Sequence, residues 1–172
     1  MNQEHISILL VDDEERIRET FGEILILNGF AVVPAEDGKA AVSAFCKERP
    51  SVVLLDMNLP DRSGMDVLRE MQRIDRSVPI IFVTAYGDIP SAVDAIKEGA
   101  YDFIAKPPDF DRLLLTIRRA MEKRQLEQAV TDLSAAYRTS LESMLGASAS
   151  MQPVIRQLKD IAVSDYSVIL QG

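Results

Sequence analysis

The stretch SVVLLDMNLPDRSG, residues 51 to 64, decides the fold. Val52 to Leu55 form an unbroken apolar run of strand length, Asp56 ends it, and Pro60 and Gly64 mark the turn that follows. A strand half exposed to water alternates apolar and polar residues, whereas an unbroken run suits a strand covered on both faces. An Asp at the end of such a run most often caps a turn. Asp56 takes on a sharper meaning only if other segments bring it partners, so the pattern on either side of it matters.

Upstream, Ile6 to Val11 is a strand-length apolar run, and Glu14 to Asn28 then places Ile17, Phe21, Ile24 and Leu25 at helical spacing. Asn28 and Gly29 supply a helix stop. FAVVPA (30 to 35) reads as a second strand and Gly38 to Arg49 as a second helix, with Ala41, Ala44 and Phe45 inward and Cys46 expected beside them as a small buried residue. Downstream, Met65, Leu68 and Met71 mark a third helix and PIIFVTA (79 to 85) a fourth strand. Asp88 and Pro90 open a helix that closes at Gly99, YDFIAK (101 to 106) is a fifth strand, and a last helix starts near Asp109. Five strands alternating with five helices predict an α/β fold, a doubly wound five-stranded parallel sheet with helices on both faces.

Bulk properties narrow the function. The chain has 172 residues, 19 Lys and Arg against 27 Asp and Glu, and a net charge of −8, a balance opposed to direct nucleic-acid contact, which needs clustered basic residues. A single cysteine excludes an internal disulfide and suits a reducing compartment. No run approaches the roughly 20 apolar residues that span a bilayer, and the start MNQEHISILLVDDEE lacks the basic opening of a secretory signal. These features predict a cytoplasmic protein without membrane contact.

In a parallel doubly wound sheet all strands end on one edge, where ligands bind. Strand one ends in Asp12 and Asp13, strand three in Asp56, strand four in Thr84 and strand five in Lys106. Two carboxylates about 4 Å apart repel by roughly 4 kcal/mol at an effective dielectric near 20. Three crowded together need a cation or must bind protons. Mg²⁺ is a hard ion that takes oxygen ligands and favours carboxylates combined with phosphate. Lys106 offers a positive charge and Thr84 a hydroxyl to phosphoryl oxygens, and Asp is a competent nucleophile toward phosphorus. The set describes phosphoryl transfer to a carboxylate.

With these pieces in place the chain resembles the receiver domain of two-component response regulators, on ILLVDDE, VVLLDMNLPDRSGMDVL, PIIFVTAYGD and AVDAIKEGAYDFIAKP, which occur in the family's order between residues 6 and 107. The resemblance implies a flavodoxin-like receiver over residues 1–120 with strand order 2-1-3-4-5. Asp56 would be the phosphoacceptor, served by a sensor histidine kinase or by a small donor such as acetyl phosphate. Asp12, Asp13, Asp56 and the backbone carbonyl of Asn58 would hold Mg²⁺. Lys106 would pair with the phosphoryl group, Thr84 would swing toward it, and Phe103 would turn inward as the switch aromatic. Ala85 would leave the site open to the donor, and Lys106–Pro107 would be a cis peptide. Pro108 departs from the family, which often has a large apolar residue there.

From Asp109 to Met144 the sequence has no Pro or Gly, and Leu126, Val130, Leu133, Tyr137 and Met144 follow spacings of four and three, with Ser140 in the remaining seam position. This is a short coiled-coil pattern, so the last receiver helix is expected to continue as a dimerisation linker over 109–144 and to make a homodimer. Residues 145–172 resemble the opening helix and strand of the AAA+ ATPase domain of sigma-54-dependent activators, which implies a receiver, linker and truncated AAA+ segment. The lysine and hydroxyl of a phosphate loop are absent, so ATP hydrolysis by this chain is not expected. The alternative is a Mg²⁺-dependent phosphohydrolase with an aspartyl nucleophile. Such enzymes usually carry an acid–base Asp two residues after the nucleophile, where this chain has Asn58.

Overall fold

The structure is a computed structural model that describes the backbone of residues 6–85 and 89–145, with the side chains of these except 89–91 and 135–145. The elements are β1 (Ser7–Val11), α1 (Glu15–Leu27), β2 (Ala31–Ala35), α2 (Gly38–Glu48), β3 (Val52–Leu55), α3 (Gly64–Ile74), β4 (Ile80–Thr84), α4 (Ile89–Lys97), β5 (Asp102–Ala105) and α5 (Phe110–Leu145). The strands form one parallel sheet in the order β2-β1-β3-β4-β5, the order expected from the receiver resemblance. The expected long C-terminal helix is present as α5.

Successive strand residues face opposite sides of the sheet, and each side finds its own helices. Leu9, Val11, Val53, Leu55, Ile80 and Phe82 pack with Ala41 and Phe45 of α2 and Val67, Leu68 and Met71 of α3. Ile8, Leu10, Val52, Leu54, Ile81 and Val83 pack with Phe21 and Leu25 of α1 and Leu113, Ile117 and Met121 of α5. β3 and β4 are buried along their whole length, which explains their unbroken apolar runs. Each fully buried Leu, Ile or Phe contributes about 1.5–3 kcal/mol. β2 carries Pro34 and lies at the sheet edge, where a missing N–H costs least.

Local chemistry sets the element ends. At the end of α1, Gly29 has φ +87°, and the Phe30 N–H reaches back to the Leu25 carbonyl at 3.1 Å. Asp37 caps α2 by accepting from the Ala40 N–H at 2.7 Å. α4 ends at Lys97, two residues before Gly99, and Asp88 lies outside the described residues. Lys106–Pro107 is cis. Pro108 is buried, and at the start of α5 the Phe110 ring meets Phe21 edge-on, with centroids 5.1 Å apart.

One sequence expectation is corrected: Cys46 is exposed, not buried. The buried face of α2 is set by Ala41 and Phe45, four residues apart, and the next residue points about 100° away around the helix.

The chain divides into two compact units, residues 1–125 and 126–172. In the second, Leu126, Val130 and Leu133 are 68%, 65% and 72% exposed. The side chains of Tyr137 and Met144, and the expected AAA+ segment beyond residue 145, lie outside the described residues.

Candidate functional site

The carboxyl ends of β1, β3, β4 and β5 converge as the parallel topology requires. The Asp12 N–H donates to the Ala35 carbonyl at 3.1 Å, and the Asp56 N–H to the Val11 carbonyl at 2.9 Å, so the acidic residues extend the sheet's own ladder. Carboxylate oxygens of Asp12, Asp13 and Asp56 all lie within 4.8 Å of one another, with Asp12 and Asp56 buried and Asp13 exposed. From the end of the edge strand β5, Lys106 places its Nζ 2.5 Å from Asp12 Oδ2 and 2.5 Å from Asp56 Oδ2. These three side chains are each less than a tenth exposed.

Three carboxylates facing one ammonium leave an excess of negative charge in a partly dry site. Burial pushes the Asp12 carboxyl above the usual range, against the opposing pull of Lys106. Burial alone would lower Lys106, but its hydrogen bonds to Asp12 and Asp56, with the charges of both, raise it above the ordinary lysine value. The ammonium is therefore locked in its charged form. A hard divalent cation fits this donor set: all the side-chain ligands are oxygens, and their spread is close to that of ligands around one small ion. Asp12, Asp13 and Asp56 are the residues that would hold it.

The loop after β3 is held by several independent ties. The Asn58 N–H donates to Asp56 Oδ1 at 3.2 Å, and Asn58 bridges to Ser63. The Gly64 N–H donates to the Met57 carbonyl at 2.7 Å. A Cβ at Gly64 would lie 2.9 Å from Met57 Cα and 3.0 Å from Phe82 Cε1, and nearer still to the Asp56 carbonyl, so only glycine lets α3 start this close to Asp56. Thr84, at the end of β4, is fully buried, and its carbonyl accepts from the Lys106 N–H at 2.9 Å. Phe103 on β5 is half-buried, with its ring 6.3 Å from Phe82. Ala85 is exposed beside the site.

Asp12, Asp13, Asp56 and Lys106 are thus brought together, with Asn58 and Thr84 attached through backbone bonds. Phe103 stands one layer away against the core. The seam residues Leu126, Val130 and Leu133 belong to the other unit. Two residues with a part in this geometry were not anticipated from sequence. Arg18 donates through one guanidinium nitrogen to the carbonyls of Asp12 at 2.7 Å and Asp13 at 2.9 Å. Asp61 accepts from the N–H groups of Gly38 at 2.8 Å and Lys39 at 3.0 Å, which hold its carboxyl below the usual range. The only signal for Arg18 was its place in the first turn of the helix after the acidic pair. Asp61 follows Pro60 and reads as a turn residue, and its partners lie 23 and 22 residues upstream with nothing local to reveal them.

Comparison with known proteins agrees with this geometry. Residues 8–118 match the response regulator receiver domain family. The chain is 37% identical over 168 residues to the C4-dicarboxylate transport transcriptional regulatory protein DctD of Pseudomonas aeruginosa, covering 96% of this chain and 36% of DctD. It is 34% identical over 167 residues to the regulatory protein AtoC of Escherichia coli, again covering 96% of this chain and 36% of that protein. It therefore spans about a third of the length of these relatives. Among solved structures, NtrX from Brucella abortus in complex with ADP matches with a TM-score of 0.70 and 36% identity over 91% of this chain and 35% of NtrX. A response regulator receiver domain protein from Clostridium thermocellum matches with a TM-score of 0.67 and 33% identity over 70% of this chain and 97% of that one. The strand order, the acidic cluster at the strand ends and the match over residues 8–118 lead to one assignment: the chain belongs to the response regulator receiver domain family.

Proposed function

We propose that this chain is a phosphoryl-accepting switch in which Asp56 is the nucleophile. The observation that carries the reading is a buried Asp56 at a strand end, in contact with Lys106 and within 4.8 Å of two further carboxylates. An Asp56 oxygen attacks the donor's phosphorus. A new P–O bond forms as the donor's bond to phosphorus breaks: the P–N bond of a kinase phosphohistidine, whose imidazole takes up a proton, or the P–O bond of acetyl phosphate, which releases acetate. Asp12, Asp13, Asp56 and the Asn58 carbonyl would hold Mg²⁺, which would supply a positive centre for the phosphoryl oxygens and offset the carboxylates' repulsion.

Lys106 then exchanges one carboxylate partner for a phosphoryl oxygen. Phosphorylation adds about two negative charges at Asp56, giving Thr84 and Lys106 new contacts. A state that makes those contacts gains population over one that does not, and Thr84 with Phe103 would carry the change along β4 and β5. The exposed seam of Leu126, Val130 and Leu133, continued in sequence by Tyr137 and Met144, supports a homodimer through helix 109–144. The relatives' names as transcriptional regulators support an output in transcription, and the resemblance of residues 145–172 to the opening of an AAA+ domain supports an attached domain of the sigma-54 activator type. A sensor histidine kinase is the partner class, and the cytoplasm is the compartment of this chain. Among the described residues no helix is long and apolar enough to cross a membrane.

The test is intact and native mass before and after incubation with Mg²⁺ and acetyl phosphate, with Asp56→Asn alongside. One phosphoryl group retained by the wild type and none by the variant is the expected result. Many donor molecules cleaved per protein without a retained group would point to a phosphohydrolase. A wild type that takes up neither phosphoryl nor beryllofluoride would overturn the assignment of Asp56.

A further inference from the structure

We propose that Arg18 is a positioning residue for the acidic turn: by gripping the carbonyls of both Asp12 and Asp13, it fixes how their carboxylates are presented to a divalent cation. The inference rests on the reading of the cluster as a Mg²⁺ site and adds to it a residue that would touch neither the ion nor the phosphoryl group. Asp12 and Asp13 sit between the end of β1 at Val11 and the start of α1 at Glu15, outside both regular elements. A turn of this kind is free to present its side chains in several directions unless something else restrains it.

Two restraints meet there. The Glu14 N–H donates to Asp12 Oδ1 at 3.1 Å, which sets the Asp12 side chain. The Arg18 Nη1 lies 2.7 Å from the Asp12 carbonyl and 2.9 Å from the Asp13 carbonyl. One nitrogen can reach two successive carbonyls only if both point to the same side, which fixes the dihedrals between them and with them the Asp12 and Asp13 Cα–Cβ directions. Arg18 is itself anchored, because its own N–H donates to the Glu14 carbonyl at 3.1 Å in the first turn of α1. Glu14, at the helix start, makes no side-chain capping bond, so this arginine supplies a tie that the usual cap does not. Among the described residues Arg18 forms no ion pair, so its guanidinium contacts here are with backbone carbonyls.

The two possible actions of Arg18 have opposite signs. As a nearby positive charge it repels a cation, so its removal would tighten Mg²⁺ binding. As a restraint on the ligand-bearing turn it preorganises the site, so its removal would weaken binding. Loss of groups that orient metal ligands typically costs about 10–100-fold in affinity. The geometry favours the restraint.

The experiment is calorimetric titration of Mg²⁺ into the whole chain for wild type, Arg18→Met, Arg18→Lys and Asp13→Asn, with metal-free amide hydrogen exchange read at residues 13 and 14. The expected result is a Kd about tenfold or more weaker in Arg18→Met, with faster exchange at the turn and an unchanged melting temperature. Arg18→Lys keeps the charge on a shorter stem and should also weaken binding, which serves if the methionine variant folds poorly. Binding in Arg18→Met equal to or tighter than in the wild type, with Asp13→Asn clearly impaired, overturns the role of Arg18 and leaves the Mg²⁺ site standing. No binding by the wild type overturns the Mg²⁺ reading itself, and this proposal with it.

Discussion

The carboxyl edge of the sheet and the second half of α5 both break the rule that apolar groups go inside and charges outside, and they break it in opposite senses. At the edge, Asp12 and Asp56 are buried charges, only 2% and 7% exposed. On α5, Leu126, Val130 and Leu133 are large apolar residues left about two-thirds exposed or more. Buried charge and an exposed apolar stripe are the informative departures in a folded chain, because stability alone would remove both. The core of the first unit obeys the rule: Leu55 is fully buried and apolar, and the next residue is Asp56. The difference teaches that the sheet interior is explained by folding, whereas each departure calls for a reason beyond folding, which the proposed function supplies as a cation and phosphoryl group in one case and a second helix in the other.

The largest effect is expected in the region that obeys the rule. Leu55→Ala leaves a cavity next to Asp56 in a fully buried strand, and should cost about 2–5 kcal/mol. Denaturant unfolding measures it directly. A loss below about 1 kcal/mol would mean that β3 is less tightly enclosed than its burial indicates, and would weaken the contrast with the edge.

Leu133→Asp acts on the opposite departure. If the seam is covered by a second copy, sedimentation or native mass should show loss of the dimer. Unfolding of the receiver unit should change by no more than about 0.5 kcal/mol, as for an ordinary surface substitution. A dimer that survives Leu133→Asp would place association elsewhere and leave the exposed stripe without a partner.

The core and the departures were not equally legible in the sequence. Unbroken apolar runs such as Val52 to Leu55 and the spacing of Leu68 and Met71 announce burial directly, and with β–α alternation they leave one layered parallel architecture. The acidic cluster was legible because parallel topology forces the strand ends together, so Asp12, Asp56 and Lys106 could be grouped across a separation of up to 94 residues. Arg18 and Asp61 were not, because their work is done by side chains on backbone groups, and any arginine or aspartate in a helix or turn has the same local pattern. Cys46 was misplaced because a helical face changes within a single residue, and its neighbour Phe45 claims the inward position.

The smallest effect concerns the cost of the edge itself and its sign. The folded state raises the Asp12 carboxyl above its ordinary value of 3.8, chiefly by burial, so the folded chain holds this proton more firmly than the unfolded chain. Below 3.8 the residue is protonated in both states and favours folding fully; as pH rises through the raised folded value, that contribution is lost. Asp12→Asn keeps the shape and removes the titration. In metal-free buffer the variant should therefore gain on the wild type as pH rises through that window, and the advantage should level off above it. Metal added at neutral pH should reverse the order, since only the wild type retains the full carboxylate set. A difference that instead grows as pH falls would mean that the attraction of Lys106 outweighs burial at Asp12, and that the buried acid is stabilised by its ammonium neighbour rather than held at a cost for a cation.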